Sequence, residues 1–184
     1  MFDDEDYDPE AERKRIESLP VYIKAREILD LVNRMLEGLT SDDLKDSEFE
    51  DEKDFKEIMF KQNSEYLLSN AMTIPVKIAG AEGAGLYDLR MENAAIIRKA
   101  ARELITDARG LQMNGFADVE YLDLLRTEVE NLRVLFAEWI KTFDKEDYII
   151  DRWNVFNPPG VNYDDHDPDD DIPFDPSDHF PEDL

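Results

Sequence analysis

Apolar residues recur at alternating intervals of three and four along four separate stretches of the chain. In 91–111, Ala94, Ile97, Ala101, Leu104, Ala108 and Leu111 fall on one stripe of a helix. Three of the six are alanines, so another helix can approach the backbone closely. Residues 20–39 carry Val21, Ala25, Ile28, Val32, Met35 and Leu39, with Tyr22, Leu29 and Leu36 running beside them at spacing seven. Ser18 offers an N-cap to this helix, and Pro20 suits a first turn. In 51–79 the stripe is Phe60, Leu67, Ala71, Ile74 and Ile78, with Pro75 expected to kink the helix. The glycine-rich 80–85 reads as a helix end and turn. A further helix over about 86–112, stopped by Asn114-Gly115, contains the first stripe. Over 117–143 the stripe is Leu122, Leu125, Val129, Leu132, Phe136, Trp139 and Phe143. Four amphipathic helices joined by short connections predict an all-α fold, an antiparallel up-down-up-down four-helix bundle over 19–143.

The flanks break this rhythm. Residues 1–18 form an acidic arm with three basic and eight acidic side chains, in which 9–16 is either a short helix or unstructured. Residues 144–156 keep Tyr148, Ile149, Ile150, Trp153, Val155 and Phe156, and predict a short helix or a strap that docks on the bundle. Residues 157–184 form an acidic tail with six of the nine prolines, ten acidic residues and no basic one. That composition predicts an extended or disordered chain. Its Val161, Tyr163, Ile172, Phe174 and Phe180 are nevertheless spaced like the anchors of a docking peptide.

The net charge of −25 is therefore uneven. Most of it lies in the arm, in an acidic loop at 42–54 and in the tail, which leaves the helical body nearly neutral. Acidic flanks keep an oligomer soluble and repel nucleic acid as a whole. No apolar run reaches the roughly 20 residues of a membrane span. Residues 1–12 also lack the basic-then-apolar order of a secretory signal. The expectation is a soluble, cytoplasmic protein with no membrane association.

Candidate chemistry is sparse. With no cysteine, disulfides and zinc–thiolate sites are excluded. The two histidines, His166 and His179, both lie in the tail, so a Ser-His-Asp site cannot form within the bundle from its own residues. No Glu-x-x-His occurs, and with it goes the di-iron signature of bundles. The glycines of 80–85 run in the reverse order of the dinucleotide fingerprint and follow a helix, so no phosphate loop is expected. The tail aspartates Asp164, Asp165, Asp167, Asp169, Asp170 and Asp171 offer oxygen ligands. A calcium loop begun at Asp165, however, would place Asp170 and Pro176 where Gly and Glu are needed. The reading is a non-enzyme without cofactor or dedicated metal site.

LPVYIKAREI at 19–28, TIPVKIAGAEG at 73–83 and the alanine-rich third helix resemble the four-helix-bundle family of 23S rRNA intervening-sequence proteins. That family includes the accessory variability determinants of diversity-generating retroelements. The resemblance covers about 19–143. Thr73 stands where the family motif has Ser, Lys77 where it has Asn, and Gly80-Ala81 precedes Glu82-Gly83 as a two-residue insertion. The resemblance implies a ring-shaped homo-oligomer, commonly a pentamer, without enzymatic activity. Retroelement members look like basic barrels that bind nucleic acid and a reverse transcriptase, from which this acidic chain departs.

Five arginines flank the core stripes: Arg98, Arg102 and Arg109 on the third helix, and Arg126 and Arg133 on the fourth. They either pair with acids of a neighbouring helix, or face nucleic acid or a partner's acidic peptide, or lie beneath the chain's own acidic tail. Tyr22, Leu29 and Leu36 form a second apolar face suited to an oligomer interface. The preferred function is an oligomeric scaffold that recruits a protein partner. The alternative is a nucleic-acid-binding accessory factor using the basic stripe.

Overall fold

The structure, a computed structural model, describes residues 8–37, 50–113 and 119–167. Among these residues are five helices and no strand: α1 (Pro9–Glu17), α2 (Pro20–Glu37), α3 (Glu50–Ala84), α4 (Tyr87–Met113) and α5 (Val119–Ile140). Residues 1–7, 38–49 with the predicted core residue Leu39 and most of the acidic loop, the Asn114-Gly115 stop and the tail beyond 167 lie outside the described residues; the last part of that loop, 50–54, is the start of α3.

The arm's helical alternative is the one observed. Asp8 caps α1 by accepting from the backbone N–H of Glu10 and Ala11 at 2.9 and 3.2 Å, and Pro9 fills the first position, where no donor is required. Ser18 does not cap α2. It closes α1, its hydroxyl donating to the Arg15 carbonyl at 2.7 Å, and Leu19 supplies the carbonyl that accepts from Ile23.

The four longer helices share one core. α2 buries Val21, Ala25, Ile28, Val32 and Met35 as the spacing predicts, and Leu31 as well. Lys24 of α2 donates to Glu128 of α5 at 2.7 Å, which raises the lysine and lowers the carboxyl, so each keeps its partner charged. α3 buries Phe60, Leu67, Ala71, Ile74 and Ile78, and Ser64 turns its hydroxyl to the Phe60 carbonyl at 2.9 Å.

α3 runs past the end expected for it. Gly80 and Gly83 are helical, Ala81 is buried, and only Gly85, at φ 74°, leaves the right-handed region. Packing explains the extension, because a glycine inside a helix costs about 1 kcal/mol and neighbouring buried contacts offset it. Gly80 faces the Asn93 side chain of α4, and Gly110 of α4 faces Asn63 of α3. Between them Asn70 donates to Asp107 at 2.8 Å. These three pairings step away from Gly85 along both helices, so α3 and α4 form an antiparallel hairpin. Of the four neighbouring pairs of long helices theirs is the most extensive contact, and that of α4 with α5 the least extensive.

In α4, Ala94, Ile97, Leu104, Ala108 and Leu111 are buried as predicted. Ala101 is only half-buried, and Ala100 takes its place in the core. In α5, Leu122, Leu125, Leu132 and Trp139 are buried, as is Phe143 just beyond it, whereas Val129 and Phe136 are half-buried.

Residues 144–156 contain no helix. They form a strap across the start of α4: Tyr87 donates its N–H to the Asp147 carbonyl at 2.7 Å, and Asp88, itself buried, accepts from the Ile149 N–H at 2.9 Å. Ile150 is buried, but Trp153 is 90% exposed. Asp151 turns the chain there by accepting from the N–H groups of Trp153, Val155 and Phe156 at 2.8–2.9 Å. Arg152 then donates to the carbonyls of Tyr163 and Asp165 at 2.8 and 2.9 Å and folds the first part of the tail back on the strap. No helix among the described residues is long and apolar enough to cross a membrane.

Candidate docking groove between α4 and α5

The three predicted core positions that stay half-exposed share one location. Ala101, Val129 and Phe136 line a groove of about 440 Å³ between α4 and α5, with Ile97, Ile105, Leu132 and Ile140. Their burial is incomplete because α5 packs less extensively on α4 than on α2. A groove with an apolar floor is the form taken by sites that accept a helix or extended peptide.

Its rim is basic. Arg98 and Arg102 rise from α4 and Arg133 from α5, with Glu130 the one acid on the lining. Arg133 donates to Glu130 at 2.7 Å. Arg98 and Arg102 are exposed and have no ion pair among the described residues, so two guanidinium groups on one rim are free to meet an anion. In a chain of net charge −25 this is a local reversal of sign.

The structure does not unite all five predicted arginines. Arg109 and Arg126 do not line the groove. Each lies seven residues, about 10 Å of helix rise, beyond the rim residue on its own helix. Arg126 is instead paired with Asp123 at 2.8 Å. The predicted interface residues Tyr22, Leu29 and Leu36 are half-buried and pack against the core cluster. Among the described residues no group of three or more potential ligands is placed to hold a metal ion, and Asp169, Asp170 and Asp171 lie outside them.

A second cluster escaped sequence reasoning altogether. The Glu82 carboxylate, near the end of α3, is buried. Its Oε1 accepts from Arg90 of α4 at 2.5 Å and from the Trp139 indole of α5 at 2.7 Å, and its Oε2 accepts from Arg15 of α1 at 2.5 Å. The Arg90 guanidinium lies 4.2 Å from the centre of the Phe143 ring, which meets Trp139 edge-on at 4.8 Å. Arg15 is raised further above its already high range, first by Glu12 and then by Glu82, so it stays cationic. Accepting three hydrogen bonds from three other helices, the Glu82 carboxylate is placed to tie those elements together. The signal available in the sequence was a lone acid, flanked by glycines, inside the motif that carries the family resemblance.

Comparison with family models, with curated protein sequences and with solved structures finds no match.

Proposed function

We propose that this chain is a non-enzymatic scaffold that holds a protein partner in the α4–α5 groove. The observation that carries the reading is the coincidence of an apolar floor with two guanidinium groups on its rim, Arg98 and Arg102, that have no ion pair among the described residues. Apolar area supplies affinity and paired charge sets which partner is accepted. The partner chemistry that fits is a short acidic segment with apolar anchors. The full architecture proposed is an up-down-up-down four-helix bundle of the intervening-sequence type. The start of α2, the end of α3, the start of α4 and the end of α5 all meeting around Glu82 and Trp139 support it. Assembly into a closed homo-oligomer, a ring such as a pentamer, belongs to the same proposal, with Tyr22, Leu29 and Leu36 contributing to the contact. Light scattering then reports several subunits, and a monomer at all concentrations removes the ring.

The groove itself is tested with a synthetic peptide bearing several aspartates and two phenylalanines. Saturable shifts of the Ile105 and Val129 methyl signals, lost in an Arg98→Glu, Arg102→Glu double variant, are the expected result. Absence of any shift at millimolar peptide, both in the full chain and in a variant with Ile172 and Phe174 replaced by Ser, overturns it.

A second reading is a nucleic-acid accessory factor, favoured by Arg98, Arg102 and Arg109 along α4, which have no ion pair among the described residues. It requires binding of single-stranded RNA or duplex DNA that weakens steeply with salt and vanishes when the three are replaced. No binding at low salt removes it.

A further inference from the structure

We infer that the groove's resident occupant is the chain's own C-terminal segment, residues 169–184, bound within the same molecule. This deepens the docking reading above and rests on it. Three observations converge on this occupant.

The first is charge. Residues 169–184 carry seven acidic side chains and no lysine or arginine. Arg98 and Arg102 are the cations of the groove rim that have no ion pair among the described residues. Carboxylates suit them better than any other group the chain supplies.

The second is the apolar pattern. Ile172 and Phe174 are two residues apart, so in an extended segment they face the same way, and Phe180 follows. Pro173, Pro176 and Pro181 disfavour a helical ligand and favour an extended one. The groove floor offers Ala101, Val129 and Phe136, positions that helix periodicity assigns to a covered face and that the described residues leave half-covered, with Ile105 beside them.

The third is reach. The strap is fixed to Tyr87 and Asp88 at the start of α4, and Arg152 holds the tail to the strap as far as Asp165. Ile140, at one end of the groove, is the last residue of α5, three before Phe143. The tail therefore departs from the end of the molecule where the groove begins. From Ile140 to Val129 the groove follows about 16 Å of helix, whereas the chain after Asp167 extends to roughly 55 Å. Tethering also sets an effective concentration on the order of millimolar, which no free partner matches without higher affinity. An external partner then binds by displacing the tail, and carries the same chemistry: carboxylates with aromatic anchors.

The absence of cysteine permits a direct test on the full chain. A nitroxide on Ser177→Cys is expected to broaden the methyl signals of Ile105, Val129 and Ile140 while leaving Ile28 and Ile74 sharp. Tenfold dilution leaves the broadening unchanged. A mixture of isotope-labelled chain without nitroxide and unlabelled chain with it shows none. Replacing Ile172 and Phe174 by Ser, or Arg98 and Arg102 by Glu, reduces the broadening to background, and the anchor variant binds the acidic test peptide several-fold more tightly. Sharp groove signals overturn the inference, as does broadening confined to the mixed sample, which places the tail in a neighbouring copy. Broadening that survives both pairs of substitutions also overturns it. Sharp groove signals alongside retained peptide shifts defeat the tail alone; loss of both defeats the docking groove itself.

Discussion

Glu82 and Trp139, 57 positions apart in the chain, are joined by a hydrogen bond of 2.7 Å from the indole Nε1 to the carboxylate Oε1. Through that carboxylate α5 is linked to α3, and the same group reaches Arg90 on α4 and Arg15 on α1. A buried acid with this many donors is stabilising only as a complete set. Removing the carboxylate strands Arg90, which is 13% exposed and whose Nε has no acceptor among the described residues. Glu82→Ala is therefore expected to cost about 3 kcal/mol, the lower end for a broken buried pair, because half-exposed Arg15 recovers water. Trp139→Phe, which removes one donor and keeps the ring contact, is expected to cost about 1 kcal/mol. Urea unfolding of both variants checks the order; equal losses would show that burial of the indole, and not the acid, holds this end.

That cluster shows where sequence reading stops. The stripes of α2 and α3 were legible because a period of three and four follows from helix geometry alone. Glu82 was not, because Gly80, Gly83 and Gly85 each weigh against a helix locally, and only the α4 surface behind Gly80 and the burial of Ala81 extend it. Ala101, Val129 and Phe136 were legible as apolar and helical. Whether the next helix closes over them depends on how far α5 stands from α4, which periodicity does not encode. Arg98, Arg102 and Arg133 were legible as a basic edge, and Arg109 and Arg126 were grouped with them because a stripe has no natural end in sequence. Trp153 was expected to dock, but the three N–H groups gathered by Asp151 turn it outward.

The close approach of α3 and α4 makes a signed prediction at Gly110. A Cβ built there would lie 2.6 Å from the Asn63 Oδ1 and 2.8 Å from its Cγ. Alanine gains about 1 kcal/mol over glycine in a helix, and that gain is cancelled while Asn63 must move. Gly110→Ala alone is expected to be neutral or destabilising. In an Asn63→Ala background the same substitution should stabilise by about 1 kcal/mol. A double-mutant cycle with no coupling would mean that Asn63 vacates the position freely.

Asp107 gives the fold a pH dependence of one sign. Burial raises its carboxyl above the ordinary range; the Asn70 hydrogen bond opposes this and Glu103 adds to it. The folded state therefore holds the proton to higher pH than the unfolded chain, and stability falls as pH rises through that interval. Asp107→Asn keeps an acceptor for Asn70 and removes the buried charge. It is expected to raise the denaturation midpoint at pH 7, with the advantage shrinking as pH falls towards 3.8, the ordinary value for the residue. A constant difference across that range would show that the carboxylate is not the cause.

Asp151 carries the opposite sign. The N–H groups of Phe156, Val155 and Trp153 hold its carboxyl below the ordinary range, with Phe156 the largest contributor. Its hydrogen bonds are therefore complete above pH 3.8 and are lost as pH falls through the lower folded value. The Asn157 side chain brackets the same turn, accepting from the Asp151 N–H at 2.7 Å and donating to its carbonyl at 2.9 Å. It cannot replace the three bonds made by the carboxylate. Asp151→Ala is thus expected to free the amides of Val155 and Phe156 to exchange with solvent at neutral pH, while the amides of Leu104 and Leu132 in the core stay protected. Wild-type protein should show the same selective loss only in strong acid. Because this turn places Arg152 against Tyr163 and Asp165, the variant also lengthens the tether that aims the tail at the α4–α5 groove. Weaker nitroxide broadening at Ile140 should accompany the loosened amides; unchanged broadening would separate the turn from the tail.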